Sequence, residues 1–478
     1  MNARPSDNDV KRTIRNPARL IDVIGELPLT STERVLRAVE AAESAFSGWS
    51  AVEAADRASF LSRAADAVDA EHGDWTTLLT REHGKTLREA GAEIGNAVGV
   101  LRYYAGLAEQ YEQELELDDH LGRRIQRRHP FGVAAVIVPW NYPVILALLM
   151  TAPALLAGNT VIVKLPDHAA LAVRGILSRL ADLLPPGVLQ IVAGDAVGVG
   201  SVLTTHPRIR KILFTGSTDT GRVIMRDGSA NLKSLSLELG GNDPAIVLED
   251  ARLDDGMITE LVRGAFSASG QVCYAPKRIY VHRSRFDEFV DGYLSVADEL
   301  VVGDGLESDV TMGPVNNDAQ FRHVRSLIQA SADGGGTVRT VGRMHSGSSE
   351  NDGFFILPTV VTGLGQSADL VQKEQFGPAI PILPFESEVD AVRMANDSEY
   401  GLAASVWSAD SDHAFDLARR IEAGTVFVNI HRVGASDVSM PFGGFKQSGL
   451  GRGHGFVALE ECSESQLLVE RSDLRGHR

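Results

Sequence analysis

The chain has 478 residues, 44% apolar and 23% charged, with 47 glycines and 19 prolines. At roughly 150 residues per domain this length suggests about three domains, and the balance excludes collagen, coiled coil and wholesale disorder. A formal net charge of −17 repels phosphate backbones, so nucleic acid and anionic membrane surfaces are poor partners.

Two cysteines, Cys273 and Cys462, provide no disulfide framework and suit a reducing compartment. The first twenty residues carry Arg and Lys without an apolar core, which argues against a secretory signal. Asp7 and Asp9 argue against a mitochondrial presequence. The longest apolar run, residues 144–157, is broken by Pro153 and too short to span a bilayer. The expected location is the cytoplasm.

In chain order, the first hundred or so residues read as helical. Thr30 and Glu33 fit a capping box, and Val35, Val39, Ala42 and Phe46 follow at helical spacing, continued by Leu61, Ala65 and Val68. Over residues 113–128 the alternation of Leu115 and Leu117, with a turn at Leu121-Gly122, predicts a two-stranded ribbon that needs a partner surface. Another short strand is predicted over 466–470, and ribbon plus strand together suggest subunit pairing. Arg123, Arg124, Arg127 and Arg128 fit a solvated strand face better than a recognition patch.

Strands are then predicted over 133–138, 160–165, 188–193, 211–215 and 235–239, separated by segments long enough for crossover helices, such as 169–184. Continuous apolar strands with helical crossovers imply a parallel sheet covered on both faces. A second series follows over 245–248, 278–281, 380–385, 403–407 and 425–429, and the Gly-Ser-rich stretch 346–353 reads as a surface loop.

Four segments carry chemistry-bearing residues. The strand over 211–215 enters GSTDTG at 216–221, where free amides at a helix start suit a phosphate but an ordinary strand-to-helix turn is equally compatible. Arg222 and Val223 follow instead of Lys and Ser/Thr, so this is no ATPase loop, and GxGxxG is absent from the chain. Cys273 lies in the loop GQVC after a predicted helix carrying Met257, Ile258, Leu261, Val262 and Phe266. It is either a small buried hydrophobe or a nucleophile whose activator comes from elsewhere. Glu238 ends an apolar strand just before Gly240-Gly241, and is either a solvated strand-end acid or a desolvated general base. In PWNYP (139–143) two prolines hold Trp140 and Asn141 rigidly at a sheet edge, where the Asn amide suits an oxyanion. No metal-ligand spacing and no GxSxG nucleophile elbow occurs, and Cys462 sits in a polar tail.

Taken together and in this order, these segments resemble the aldehyde dehydrogenase superfamily over residues 15–468. The matching strings are PWNYP at 139, VKLPD at 163, FTGSTDTG at 214, LELGGNDP at 237 and GQVC at 270. EQFGP at 374, YGLAASVW at 400, VFVN at 426 and PFGGFKQSGLGR at 441 complete the set. The resemblance implies an α/β fold: a doubly wound parallel-sheet cofactor domain, a second α/β catalytic domain and a small β-ribbon oligomerisation element. The expected boundaries are 1–112 with 131–239, plus a return segment at about 447–461, for cofactor; 240–446 for catalysis; 113–130 with 462–478 for bridging.

The resemblance further implies that Cys273 attacks the aldehyde carbon, that Asn141 and the Cys273 amide hold the oxyanion, and that Glu238 activates the water which hydrolyses the thioester. NAD would lie on Lys164, Asp167, Gly216, Ser217, Trp140, Glu374 and Phe376. Relatives more often have Glu where Asp167 stands and Pro directly after Lys, where this chain has Leu165. Asp keeps a charge that disfavours a 2′-phosphate, so NAD is expected over NADP. Gly453 stands where many relatives have Glu after the Gly-Arg pair.

Leu149, Met150, Val272, Tyr274 and Arg432 are expected in the substrate tunnel, with the loop 430–440 at its mouth. An apolar aliphatic or aromatic aldehyde is expected. A carboxylate-bearing semialdehyde would use Arg432 as its tether, whose other reading is a surface pair with Asp437 or a fully solvated charge. A homodimer or homotetramer is expected. The competing classes are a non-catalytic relative of the fold and an esterase using the same cysteine.

Overall fold

The computed structural model describes residues 10–470. Asp7, Asp9 and the last eight residues of the expected bridging element lie outside them.

The first parallel sheet has six strands in the spatial order Gly449–Leu450, Ser234–Glu238, Ile209–Thr215, Val133–Ile137, Thr160–Lys164, Leu189–Val192. All pair in parallel except Gly449–Leu450, which returns late in the chain to close one edge antiparallel against Leu237 and Glu238. The inner strands Val133–Ile137 and Thr160–Lys164 are fully buried apolar runs between helices, as a parallel sheet requires. Helix Leu171–Leu183 shows the local logic: Ala172, Val173, Ile176, Leu177 and Leu180 form its buried stripe. Helix Pro143–Leu156 is apolar nearly all round and lies inside the core.

The chain order reverses between Val133–Ile137 and Ile209–Thr215, which pair directly. Ligands of open α/β sheets bind at such a switch point, outside the strands' carboxyl ends. Ile137 pairs with both Lys164 and Phe214, and Thr215 pairs with Glu238. Register therefore aligns the Pro139–Pro143 turn, Lys164, Gly216 and Glu238 along one edge.

The second sheet has seven strands in the order Thr337–Thr340, Thr359–Thr362, Ala379–Phe385, Pro276–His282, Asp243–Val247, Ala403–Trp407, Thr425–Val428. The predicted ribbon forms as Leu115–Asp119 and Gly122–Pro130, and Ser463–Val469 joins it antiparallel as a third strand. Its arginines pair with acids, Arg123 with Glu116, Arg124 with Asp119 and Arg128 with Glu460. No described helix is long and apolar enough to cross a membrane.

The start of the chain departs from expectation. Lys11–Asn16 and Arg19–Pro28 form an antiparallel hairpin before the first helix. Its strands alternate too few apolar residues to register as strands, Ile14 and Leu27 being the buried ones. The first helix, Thr32–Ser50, is capped by Ser31, which accepts from the Arg34 amide; Thr30 instead accepts from the Ala193 amide. The capping box forms at Thr86 and Glu89, where helix Leu87–Ala105 begins.

This last helix carries Glu93 into the core. Glu93 Oε2 lies 2.5 Å from Lys85 Nζ, both side chains fully buried, and Glu93 Oε1 accepts from the amides of Val144 (2.9 Å) and Ile145 (3.3 Å). It thus caps helix Pro143–Leu156 across the layer, where the helix's own first residues offer no side-chain cap. Glu93→Ala should cost about 3–5 kcal/mol in urea unfolding, because Lys85 is left buried and unpaired. A loss below about 1 kcal/mol would show that the pair is not sealed from water.

Candidate active site

A cavity of about 1120 Å³ is lined by Asn141, Leu149, Met150 and Glu238 on one side and Phe266, Val272, Cys273 and Tyr274 on the other. Helix Asp255–Phe266 buries Ile258, Leu261, Val262 and Phe266. Beyond it Ala268 (φ 46°), Ser269 (φ 59°) and Gly270 (φ 76°) are left-handed in succession. Each non-glycine residue there stores roughly 1–3 kcal/mol of strain, so neighbours must hold it. Ser269 Oγ donates to the Gly313 carbonyl oxygen at 2.7 Å, and the Ala268 amide donates to Glu89 Oε1 at 2.7 Å. A Cβ at Gly270 would stand 2.5 Å from the Gly377 carbonyl oxygen, so only glycine fits. This tight turn delivers Cys273, part-exposed, to the cavity wall.

Asn141 is buried, and its side-chain amide donates to the Gln271 carbonyl oxygen at 3.1 Å. Lys85, besides pairing with Glu93, donates to the Asn141 carbonyl oxygen at 3.0 Å and lies 3.7 Å above the Tyr142 ring. The buried pair therefore positions the Asn141 turn. Neither Lys85 nor Glu93 was predicted, since an acid and a lysine eight residues apart on a helical run carry no distinguishing pattern.

Glu238 Oε1 accepts from the Gly453 amide at 3.3 Å, while Oε2 is shielded and has no partner. Burial pushes the carboxyl up to about 8, and Glu461 adds to the rise against the Gly453 amide and Arg452. Burial also pushes the Cys273 thiol up to about 12, with Asp243, Glu374 and Glu238 raising it and Lys277 opposing. At neutral pH the sulfur and most of the carboxyl are thus both protonated, and Glu238 can accept a proton only in its ionised fraction, which grows as pH rises toward 8.

The family model described as Aldehyde dehydrogenase family matches residues 4–468. The chain belongs to the aldehyde dehydrogenase family. It is 39% identical over 395 residues to geranial dehydrogenase of Castellaniella defragrans, covering 82% of this chain and 81% of that protein. It is 37% identical over 432 residues to phenylacetaldehyde dehydrogenase of Pseudomonas fluorescens, covering 86% and 82%. Betaine aldehyde dehydrogenase from Staphylococcus aureus, solved with NAD+, superposes with a TM-score of 0.92 at 32% identity, over 97% of this chain and 92% of that one.

The aldehyde dehydrogenase motifs fall on the aligned strand ends and their loops. Ser217 caps helix Thr218–Gly228 by accepting from the Thr220 amide, leaving a helix start beside Gly216. Lys164 closes its strand, 3.7 Å from Asp167. Trp140 and Phe376 meet edge to face, ring centroids 5.6 Å apart, and Phe376 is left-handed at φ 47°. Gln320 Nε2 holds that turn through the carbonyl oxygens of Gln375 and Phe376, both at 2.9 Å. Glu374 accepts from the Gly241 amide at 3.2 Å and lies 3.4 Å from Lys277, which also donates to the Cys273 carbonyl oxygen. A Cβ at Gly240 would approach Glu374 Oε2 to 2.6 Å, so a larger residue there would displace the Glu374 carboxylate. This donor set suits a dinucleotide: a cation and an acid for one ribose, a helix start for pyrophosphate, and an acid beside an aromatic pair.

Arg432 corrects an expectation. It pairs with Glu260 at 2.8 Å instead of Asp437, so its charge is already compensated. Ile145, Leu146, Val433 and Phe442 also line the cavity, and a linear reading had no means to bring them together. His431 is buried between Ser405 Oγ and the Tyr274 carbonyl oxygen, both 2.8 Å away. Burial pushes it down to about 3, which leaves it a neutral brace for Tyr274.

Glu238 titrates at about 8 in place of its ordinary 4.5, so the folded chain binds this proton more tightly than the unfolded one. Its contribution to stability is full below pH 4.5 and is lost as pH rises through 8. Glu238→Gln should therefore gain stability over the parent across that window, by up to about 5 kcal/mol, with no further gain above it. Equal pH dependence of the two melting curves would refute the desolvated carboxyl.

Proposed function

We propose that this aldehyde dehydrogenase family member oxidises an apolar aldehyde to its carboxylic acid with NAD, by covalent catalysis at Cys273. The observation that carries the reading is the convergence of Cys273, Glu238 and Asn141 on one cavity. Cys273 Sγ attacks the carbonyl carbon while its proton passes to Glu238. The side-chain amide of Asn141 and the main-chain amide of Cys273 hold the oxygen as it gains charge. NAD, held by Lys164, Asp167, Gly216, Ser217, Trp140, Glu374 and Phe376, supplies the acceptor for the hydride that leaves the carbon. Glu238 gives that proton up to solvent, then takes one from the water that attacks the thioester and returns it to the departing sulfur, which restores the thiol. A carboxyl titrating near 8 makes this hydrolytic step faster as pH rises toward 8.

The acid at Asp167 favours NAD over NADP. The apolar wall formed by Ile145, Leu146, Leu149, Met150, Val272 and Phe442 favours an aliphatic or aromatic aldehyde. With Arg432 bound to Glu260, a semialdehyde carboxylate lacks its expected tether. Among the described residues, the division proposed is 10–112 with 131–239 and about 447–461 for NAD, 240–446 for catalysis, and 113–130 with 462–470 for pairing into a dimer or tetramer. The location is the cytoplasm.

Reduced-nicotinamide absorbance over a panel of aldehydes tests the reading directly. Geranial-like and arylacetaldehyde substrates should exceed semialdehydes in kcat/KM, and Cys273→Ala should lose ~10³-fold or more. Absence of reduced cofactor with every aldehyde would remove the assignment. Glu238→Gln should slow both the attack by Cys273 and the hydrolysis of the thioester, lowering steady-state turnover about 10²-fold or more; an unchanged steady state would assign the base elsewhere.

A further inference from the structure

The carboxylate assigned to the adenosine ribose is not free. Arg12, on the hairpin strand Lys11–Asn16, donates from Nη1 to Asp167 Oδ1 at 2.7 Å and to the Asp167 carbonyl oxygen at 3.2 Å. Lys164 Nζ stands 3.7 Å from the same Oδ1. Arg12 is 27% exposed and Asp167 44%, so the cluster opens to solvent. His168 adds no charge near neutrality, because burial, aided by Arg12, pushes its titration down. Asp195 acts on Lys164 from beyond ion-pairing distance and is engaged on the Gly198 amide at 2.6 Å. The immediate cluster thus sets two cations against one carboxylate.

We propose that Arg12 is a specificity-determining residue for the dinucleotide, admitting NADP alongside NAD by neutralising Asp167 and offering its guanidinium to a 2′-phosphate. The inference rests on the assignment of Asp167 to the ribose. A lone carboxylate there accepts from ribose hydroxyls and repels a phosphate. Two cations against it reverse the local sign, and a guanidinium presents paired N–H groups that match phosphate oxygens. The hairpin gives Arg12 a firm base. Ile14 is buried two residues on, Arg12 pairs in register with Leu27, and Asp22 is tied to Arg81 at 3.1 Å. NAD keeps an advantage because Arg12 must share its guanidinium between Asp167 and the phosphate, so the discrimination is narrow and does not vanish.

Dissociation constants for NAD+ and NADP+, measured by calorimetry on the full chain without aldehyde, test this independently of turnover. The parent should bind both, NADP+ within about tenfold of NAD+. Arg12→Ala should weaken NADP+ about tenfold and NAD+ less than about threefold, and Arg12→Lys should recover part of the NADP+ loss. Asp167→Asn should instead tighten NADP+. Melting curves of each variant check the hairpin. If the NADP+/NAD+ ratio ignores Arg12, or if both constants move equally, the proposal is overturned while the dehydrogenase reading stands. If the parent binds neither dinucleotide, both fall together.

Discussion

A lysine and a glutamate sealed together in the core, Lys85 and Glu93, hold the parts of the site in relation to one another. Burying two charges is expensive, and the cost is recovered only when every remaining proton and lone pair finds a partner. Here those partners are the Asn141 carbonyl oxygen and the first amides of helix Pro143–Leu156. The helical layer therefore grips the turn that follows the central strand of the six-stranded sheet. Glu82 does the same one step away, accepting from the amides of Leu171 and Ala172 to cap the crossover helix Leu171–Leu183. Buried glutamates stand in for local caps, and the sheet edge inherits their rigidity.

Rigidity matters because the reacting groups are held in unfavourable states. Cys273 is reached through consecutive left-handed residues, and its thiol is pushed up by burial and by three carboxylates. Glu238 has one oxygen with no partner. A relaxed fold would turn such groups to water; this one keeps them facing a shared cavity. Desolvation then sets the chemistry: burial raises both the thiol and the carboxyl, and raising the carboxyl makes it a stronger base than an exposed glutamate would be. Gly453, where a carboxylate would have been the commoner neighbour, leaves Glu238 a single backbone donor and keeps a further charge away from it.

Most of the candidate site was legible along the chain because its residues sit where backbone geometry is restricted. Prolines flank Asn141, a double glycine follows Glu238, and a glycine that nothing larger could replace precedes Cys273. The parallel strands were legible for a related reason, since burial on both faces demands continuous apolar runs. The N-terminal hairpin was not: Lys11–Asn16 holds one buried aliphatic side chain, Ile14, and its pairing is decided by contacts such as Leu20 to Asp352 and Phe354 to Pro17 across the chain. The helix start was misplaced by one residue because Thr30 is drawn off to the Ala193 amide, a partner 163 positions away.

By itself the sequence determined the family and the sheet-helix alternation, and singled out Cys273, Glu238 and Asn141, which the fold brings to one cavity, because each depends on residue type within a short, geometrically constrained segment. Only the tertiary structure decided which charges meet: Lys85 with Glu93, Arg432 with Glu260 and Arg12 with Asp167. Long side chains on separate elements choose partners by distance in the folded chain. A charge's identity can be read from the sequence, but its compensation depends on the fold.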